Sequence, residues 1–116
     1  MKRMIITADD YGMCKSTNDA IEACLAANTV HATCVMMNMP AFNDMALLKT
    51  RFPWVSLGIH WTLTQGLPVL PVSQVPSLIG INGEFHPKSQ FKSRWLSKKI
   101  DVGEINAELS AQFNRF

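Results

Sequence analysis

A chain of 116 residues and 13.0 kDa is one domain or part of one. With 47% hydrophobic and 17% charged residues it is too apolar to be a disordered chain. Its net charge of +2 is too small to argue for nucleic acid on bulk charge, and no apolar run approaches the ~18 residues of a membrane span.

The start, Met1-Lys2-Arg3-Met4-Ile5-Ile6, has a leader-like look. Its apolar stretch is cut by Thr7 and closed by Asp9 and Asp10, short of the roughly 7–15 residues of a secretory h-region. Three cysteines, Cys14, Cys24 and Cys34, form no C-x-x-C pair. They read as free thiols, and the expected location is cytoplasmic.

Met4-Ile5-Ile6-Thr7-Ala8 reads as a strand buried on both faces, as in a parallel sheet. Ser16 or Thr17 then caps a helix carrying Ala20, Ile21, Cys24 and Leu25 at helical spacing, and Asn28 suits a left-handed stop. Ala32 to Met37 reads as a second strand, with Met36, Met37 and Met39 as core filling. Pro40 suits the first turn of a second helix, running through Phe42, Met45, Ala46 and Lys49 to a stop at Phe52-Pro53.

A third strand is read from Val55 to Thr64. Val55, Leu57, Ile59, Trp61 and Leu63 fall on one face, and Ser56, Gly58, His60, Thr62 and Thr64 on the other. The bulky face should meet helices, and the small polar face, with His60, should line a cleft. Strand, helix, strand, helix, strand with short links predicts βαβ units and parallel strands.

Residues 65–87 then form a long loop rich in Pro and Gly, with Pro68, Pro71 and Pro76 among them, and long loops in compact domains are often functional. Lys88, Lys92, Arg94, Lys98 and Lys99 follow with no acid between them; without these five, the remaining six basic residues face nine acids. Phe91 and Trp95 stand among these cations, so the segment is either an amphipathic helix with a solvated basic face or a stacking, phosphate-binding RNA surface. Asp101-Val102-Gly103-Glu104 has capping-box spacing and opens a helix whose apolar stripe is Val102, Ile105, Leu109, Phe113 and Phe116. The chain stops on that stripe. The expectation is a single N-terminal fragment, 1–116, of a larger fold, associating as a homo-oligomer.

Ligands of α/β folds bind beyond the carboxyl ends of the strands, where Asp9 and Asp10 fall. Adjacent carboxylates repel unless a cation relieves them. Read alone, the pair is equally a solvated turn. His60 falls at the same sheet end if the strands are parallel, though a lone histidine is as readily a core residue. Imidazole with carboxylate suits Zn²⁺ or another first-row ion better than Mg²⁺. His31 falls at the amino end of its strand, His86 in the loop, and Cys14 has no base near it in sequence; none of the three is read as part of a site.

Several motifs in order now resemble one family. Ile6-Thr7-Ala8-Asp9-Asp10-Tyr11-Gly12 resembles the opening motif of the YdjC-like carbohydrate deacetylases, which include chitooligosaccharide deacetylases. The resemblance continues through Asn18, Ala20, Ile21 and Ala23, through Met37-Asn38-Met39-Pro40-Ala41-Phe42, and through Leu57 to Thr64. Gly66, Pro68 to Pro71, Val75 to Leu78 and Gly83-Glu84-Phe85 complete it. Tyr11, Met13 and Cys14 stand where members usually have Phe, Leu and Ser.

The resemblance implies a TIM-like (β/α) barrel with fewer than eight strands, of which this chain holds the first three strand–helix units. It implies metal-dependent removal of N-acetyl groups from amino sugars. Asp10 and His60 would be ligands of a divalent ion (Mg²⁺ or Zn²⁺), and Asp9 the catalytic base. The family's further histidine ligand and acid-side histidine come from later strands, so an isolated chain holds only part of a site. Trp61, Thr62, Pro68 and Pro71 are the expected contacts to a small carbohydrate. The competing expectations are a non-catalytic sugar-binding module and an RNA-binding domain centred on residues 88–99. Neither a membrane nor, on balance, a nucleic acid is the expected partner.

Overall fold

The structure is a computed structural model describing Lys2 and residues 4–116; Met1 and Arg3, part of the leader-like start, lie outside the described residues. The first strand, β1, is Thr7–Tyr11. It begins later than the expected Met4, and Met4 and Ile5 are 76% and 75% exposed. Helix α1 is Lys15–Ala26, β2 is Ala32–Val35, and β3 is Ser56–Ile59. One 3-10 turn, Phe42–Asp44, leads into helix α2, Met45–Arg51. The sheet order is β1-β2-β3, and both pairings are parallel, as the alternation of elements predicts. β1, at one edge of this sheet, is not buried on both faces as expected: Thr7 and Asp9 are exposed and only Tyr11 is fully covered.

Register explains the rest of β1. Ala8 pairs with Thr33 and Tyr11 with Val35, so three steps along β1 match two along β2. The extra residue is a β-bulge at Asp9-Asp10, and Asp10 takes φ 69° to accommodate it. Asp and Asn tolerate this left-handed region better than most residues, so the sequence permits the bulge here.

Helix α1 starts at Cys14 as N-cap, and neither Ser16 nor Thr17 caps it; both hydroxyls face the Cys14 thiol instead, Sγ lying 3.2 and 3.1 Å from their oxygens. Asn28 has φ 55° and stops the helix as expected. Buried Ile21 and Leu25 join Tyr11, Val30, Val35, Met37, Leu48 and Val55 in one core. Covering a Leu or Ile of this kind contributes roughly 2 kcal/mol. Buried Asn18 ties the elements together. Its Oδ1 accepts the Gly12 N–H at 2.6 Å, and its Nδ2 donates to the Ala41 carbonyl and Asp44 Oδ2, both at 3.0 Å. Gly12 is required at this crossing, because a Cβ there would sit 3.0 Å from the Phe42 Cα and 3.1 Å from the Met36 carbonyl, at φ 95°.

The chain falls into two units, residues 1–60 and 61–116. The second has its own core of Val75, Leu78, Phe85 and Ile100. Its elements are a 3-10 turn, Val72–Gln74, helix α3, Lys88–Leu96, and helix α4, Val102–Arg115. Strand β3 ends at Ile59, so the expected alternation to Thr64 breaks: Trp61 is exposed and Thr62 buried.

Helix α4 keeps only part of its expected apolar stripe inward: Ile105 packs against the second core and Leu109 is half-buried. Val102 and Phe113 are 55% and 61% exposed, whereas Glu108 and Gln112 are fully buried. The long loop decides this. It has almost no secondary structure, so its backbone N–H groups need partners from elsewhere. Glu108 accepts the N–H groups of Val69 and Leu70 at 2.9 and 3.0 Å. Gln112 accepts the Thr62 N–H at 3.1 Å and donates to the Thr62 carbonyl at 2.7 Å. Half of the capping box forms: Asp101 accepts the Gly103 and Glu104 N–H groups. Glu104 turns instead to Ser77, taking its N–H at 2.8 Å and its hydroxyl at 2.7 Å, and the Asp101 N–H donates to the Ser77 hydroxyl oxygen.

Candidate metal centre

Parallel pairing puts the carboxyl ends of β1, β2 and β3 at one rim. The His60 N–H donates to the Val35 carbonyl at 2.8 Å, extending the ladder by one residue past β3 and fixing where the imidazole leaves the sheet. There His60 Nδ1 lies 3.2 Å from Asp10 Oδ1, and both side chains are partly open, at 32% and 42%. The two expected metal ligands are therefore brought together. Asp9, expected as the base, is at the same rim, where its Oδ1 accepts the Cys34 thiol at 3.1 Å.

In an unbroken strand, neighbouring side chains leave by opposite faces. The bulge relaxes that rule, and both carboxylates serve the rim, Asp10 toward His60 and Asp9 toward Cys34. Asp9, Cys34 and His60 can each offer one donor atom with all three within 4.8 Å of one another. Two carboxylates, an imidazole and a thiol at this spacing fit a divalent ion.

Cys34 was not singled out from the sequence, but a signal existed. It pairs with Gly58, and registered partners share a face, so Cys34 lies on the face of Gly58 and His60. Burial, together with the Asp9 hydrogen bond and charge, pushes its thiol up to about 11. Cys14 goes the other way: hydrogen bonds with Ser16 and Thr17 bring its thiol down to about 7. Beside the bulge, Tyr11 donates to Glu22 Oε1 at 2.9 Å. Burial first, and then this bond, hold the phenol well above its usual range, so it stays neutral.

His31 lies at the amino end of β2, its Nδ1 accepting the Ile6 N–H at 3.3 Å, away from the carboxyl rim as expected. In the second unit, His86 is buried with Nδ1 3.3 Å from Gln90 Oε1. Trp61, half exposed, stacks on Phe113 at a centroid distance of 6.5 Å and borders a cavity of about 410 Å³. Pro68 is half-buried and Pro71 exposed, while Thr62 is buried with its backbone held by Gln112. In the basic segment, Phe91 packs partly inward and Trp95 is half exposed; with Lys88, Lys92 and Leu63 they border a second cavity of about 640 Å³. Among the described residues, no helix is long and apolar enough to cross a membrane.

The family model described as YdjC-like protein matches residues 3–116. Two curated relatives named chitooligosaccharide deacetylase, from Yersinia pestis (strain Pestoides F) and Yersinia pseudotuberculosis serotype O:3 (strain YPIII), are each 35% identical over 120 residues. Each alignment covers 99% of this chain and 44% of the relative. A crystal structure described as that of a candidate cellobiose-phosphate cleavage protein from Enterococcus faecalis V583 superposes with a TM-score of 0.86 at 30% identity. It covers 97% of this chain and 42% of that one. The chain thus spans less than half the length of the relatives it matches.

Proposed function

The chain belongs to the YdjC-like protein family, and from that premise we propose that it serves the hydrolysis of N-acetyl groups on amino sugars such as chitooligosaccharides. The observation that carries this reading is the 3.2 Å approach of His60 Nδ1 to Asp10 Oδ1, with Asp9 at the same strand end. The similarity to proteins named chitooligosaccharide deacetylase supplies the substrate class. The three parallel strands are read as part of a TIM-like barrel, whose carboxyl rim is where such sites form.

Asp10 and His60 would hold a divalent ion. Such an ion, when bound, supplies Lewis-acid character toward an acetamide carbonyl. Asp9 carries the proton chemistry: its carboxylate takes a proton from the attacking water, and the Cys34 thiol on Oδ1 fixes its orientation while leaving Oδ2 for that task. Trp61 and its stacked partner Phe113 offer an aromatic face of the kind on which sugar rings pack. The exposed apolar residues of α4, Val102, Phe113 and Phe116, support association of copies of the chain.

Acetate release from N-acetylated chitooligosaccharides, with Mg²⁺ or Zn²⁺ added, tests the reading. Asp9→Asn is expected to lower the rate about 10²–10⁴-fold and His60→Ala to abolish the response to metal. Acetate release that survives both substitutions overturns it. Sugar binding without any acetate release points instead to a non-catalytic module.

A further inference from the structure

The bulge at Asp9-Asp10 does more than display two acids. It sorts them between two different partners: Asp10 faces an imidazole, and Asp9 faces a thiol. The thiol is not needed by the hydrolytic scheme except to orient Asp9, yet it sits with Asp9 and His60 in a three-donor cluster of O, S and N atoms.

We propose that Asp9, Cys34 and His60 form a binding site for a thiophilic divalent ion such as Zn²⁺, Co²⁺ or Cd²⁺, sharing His60 with Asp10. The inference rests on reading this rim as a metal centre, and goes beyond that reading by naming a sulfur ligand and the class of ion it selects. Zinc bonds of about 2.0 Å to N or O and 2.3 Å to S place tetrahedral donors about 3.3–3.8 Å apart. The Cys34 Sγ and Asp9 Oδ1 already stand closer than that, at 3.1 Å, and the full set closes within 4.8 Å. Side-chain rotation of about 1 Å therefore completes the half-shell. The donors come from three adjacent strands or their immediate ends, so little backbone ordering remains to be done.

Charge favours the ion too. Binding replaces the S–H bond of Cys34 with a sulfur–metal bond, the proton leaving to solvent, and the cation relieves the repulsion between Asp9 and Asp10. Thiolate selects against Mg²⁺, which prefers oxygen. The same set engages Asp9, so an ion held this way withdraws the carboxylate proposed as proton acceptor.

Cobalt titration of the whole chain, free of thiol buffers, reads this directly. The expected result is one Co²⁺ per chain with a near-ultraviolet thiolate-to-cobalt charge-transfer band, absent in Cys34→Ser. Because that variant could lose its fold, the double variant Cys14→Ser/Cys24→Ser provides the positive assignment: its sole thiol is Cys34, and the band must persist there. Visible d–d absorption with no charge-transfer band, or a band lost in the double variant, overturns the sulfur ligand while leaving the Asp10–His60 metal reading intact. No cobalt binding at all overturns both.

Discussion

At the scale of single residues, one bulge decides how the acid pair is displayed. Asp9 and Asp10 are neighbours in sequence, but the left-handed φ at Asp10 releases them from strict alternation and gives each its own partner. Cys14 shows the same dependence on immediate surroundings. It precedes the first turn of α1, and two hydroxyls donate to its sulfur once it ionises. Its thiol lies at about 7 instead of the ordinary 9.0. Alkylation mapped by mass spectrometry is expected to rise at Cys14 with a midpoint near that value. Replacing both hydroxyls, in Ser16→Ala/Thr17→Val, should move the midpoint upward; an unchanged Cys14 profile would count against the hydroxyls as the cause.

At the scale of elements, helix α4 shows how a loop can override a helical pattern. The apolar stripe from Val102 to Phe116 is genuine in the sequence, and much of it remains in solvent. Glu108 and Gln112, one turn apart, occupy the buried face because they satisfy the backbone of Val69, Leu70 and Thr62. Gln112 Nε2 also donates to Glu108 Oε1 at 2.8 Å, so the pair is one network. Glu108→Ala strands two loop N–H groups and is expected to destabilise this unit by about 2–4 kcal/mol. Amide exchange at Val69 and Leu70 should accelerate accordingly, with Glu108→Gln a partial rescue. Unchanged exchange in Glu108→Ala would show that the loop holds itself.

For the whole molecule, the metal site proposed at the rim of the three-stranded sheet would couple binding to stability. An ion that binds the folded chain and not the unfolded one stabilises it by about 2.7 kcal/mol at a hundredfold excess over its dissociation constant. Thermal unfolding followed by circular dichroism should therefore shift upward by several degrees with Zn²⁺ or Co²⁺, and the shift should vanish in His60→Ala. A shift that persists in that variant would place the binding elsewhere. The family assignment and the long relatives set the wider frame, since the chain spans 44% of the length of the Yersinia proteins it resembles.

The sequence by itself determined the alternation of strands and helices, the parallel sheet and the stop at Asn28, and with parallel strands it put the acid pair and His60 at one sheet end; Asp10 in particular was matched to His60 by the resemblance. Apart from that match, each follows from a local pattern: period 2 in strands, period 3.6 in helices, and acids where a strand meets its loop. Only the tertiary structure decided that β1 starts at Thr7, that Cys34 joins Asp9, and that α4 buries Glu108 and Gln112. Those outcomes depend on register between strands and on unpaired backbone groups that find partners 27 to 50 residues away. Residue periodicity cannot encode them, because it records which face a side chain takes and not what stands opposite it.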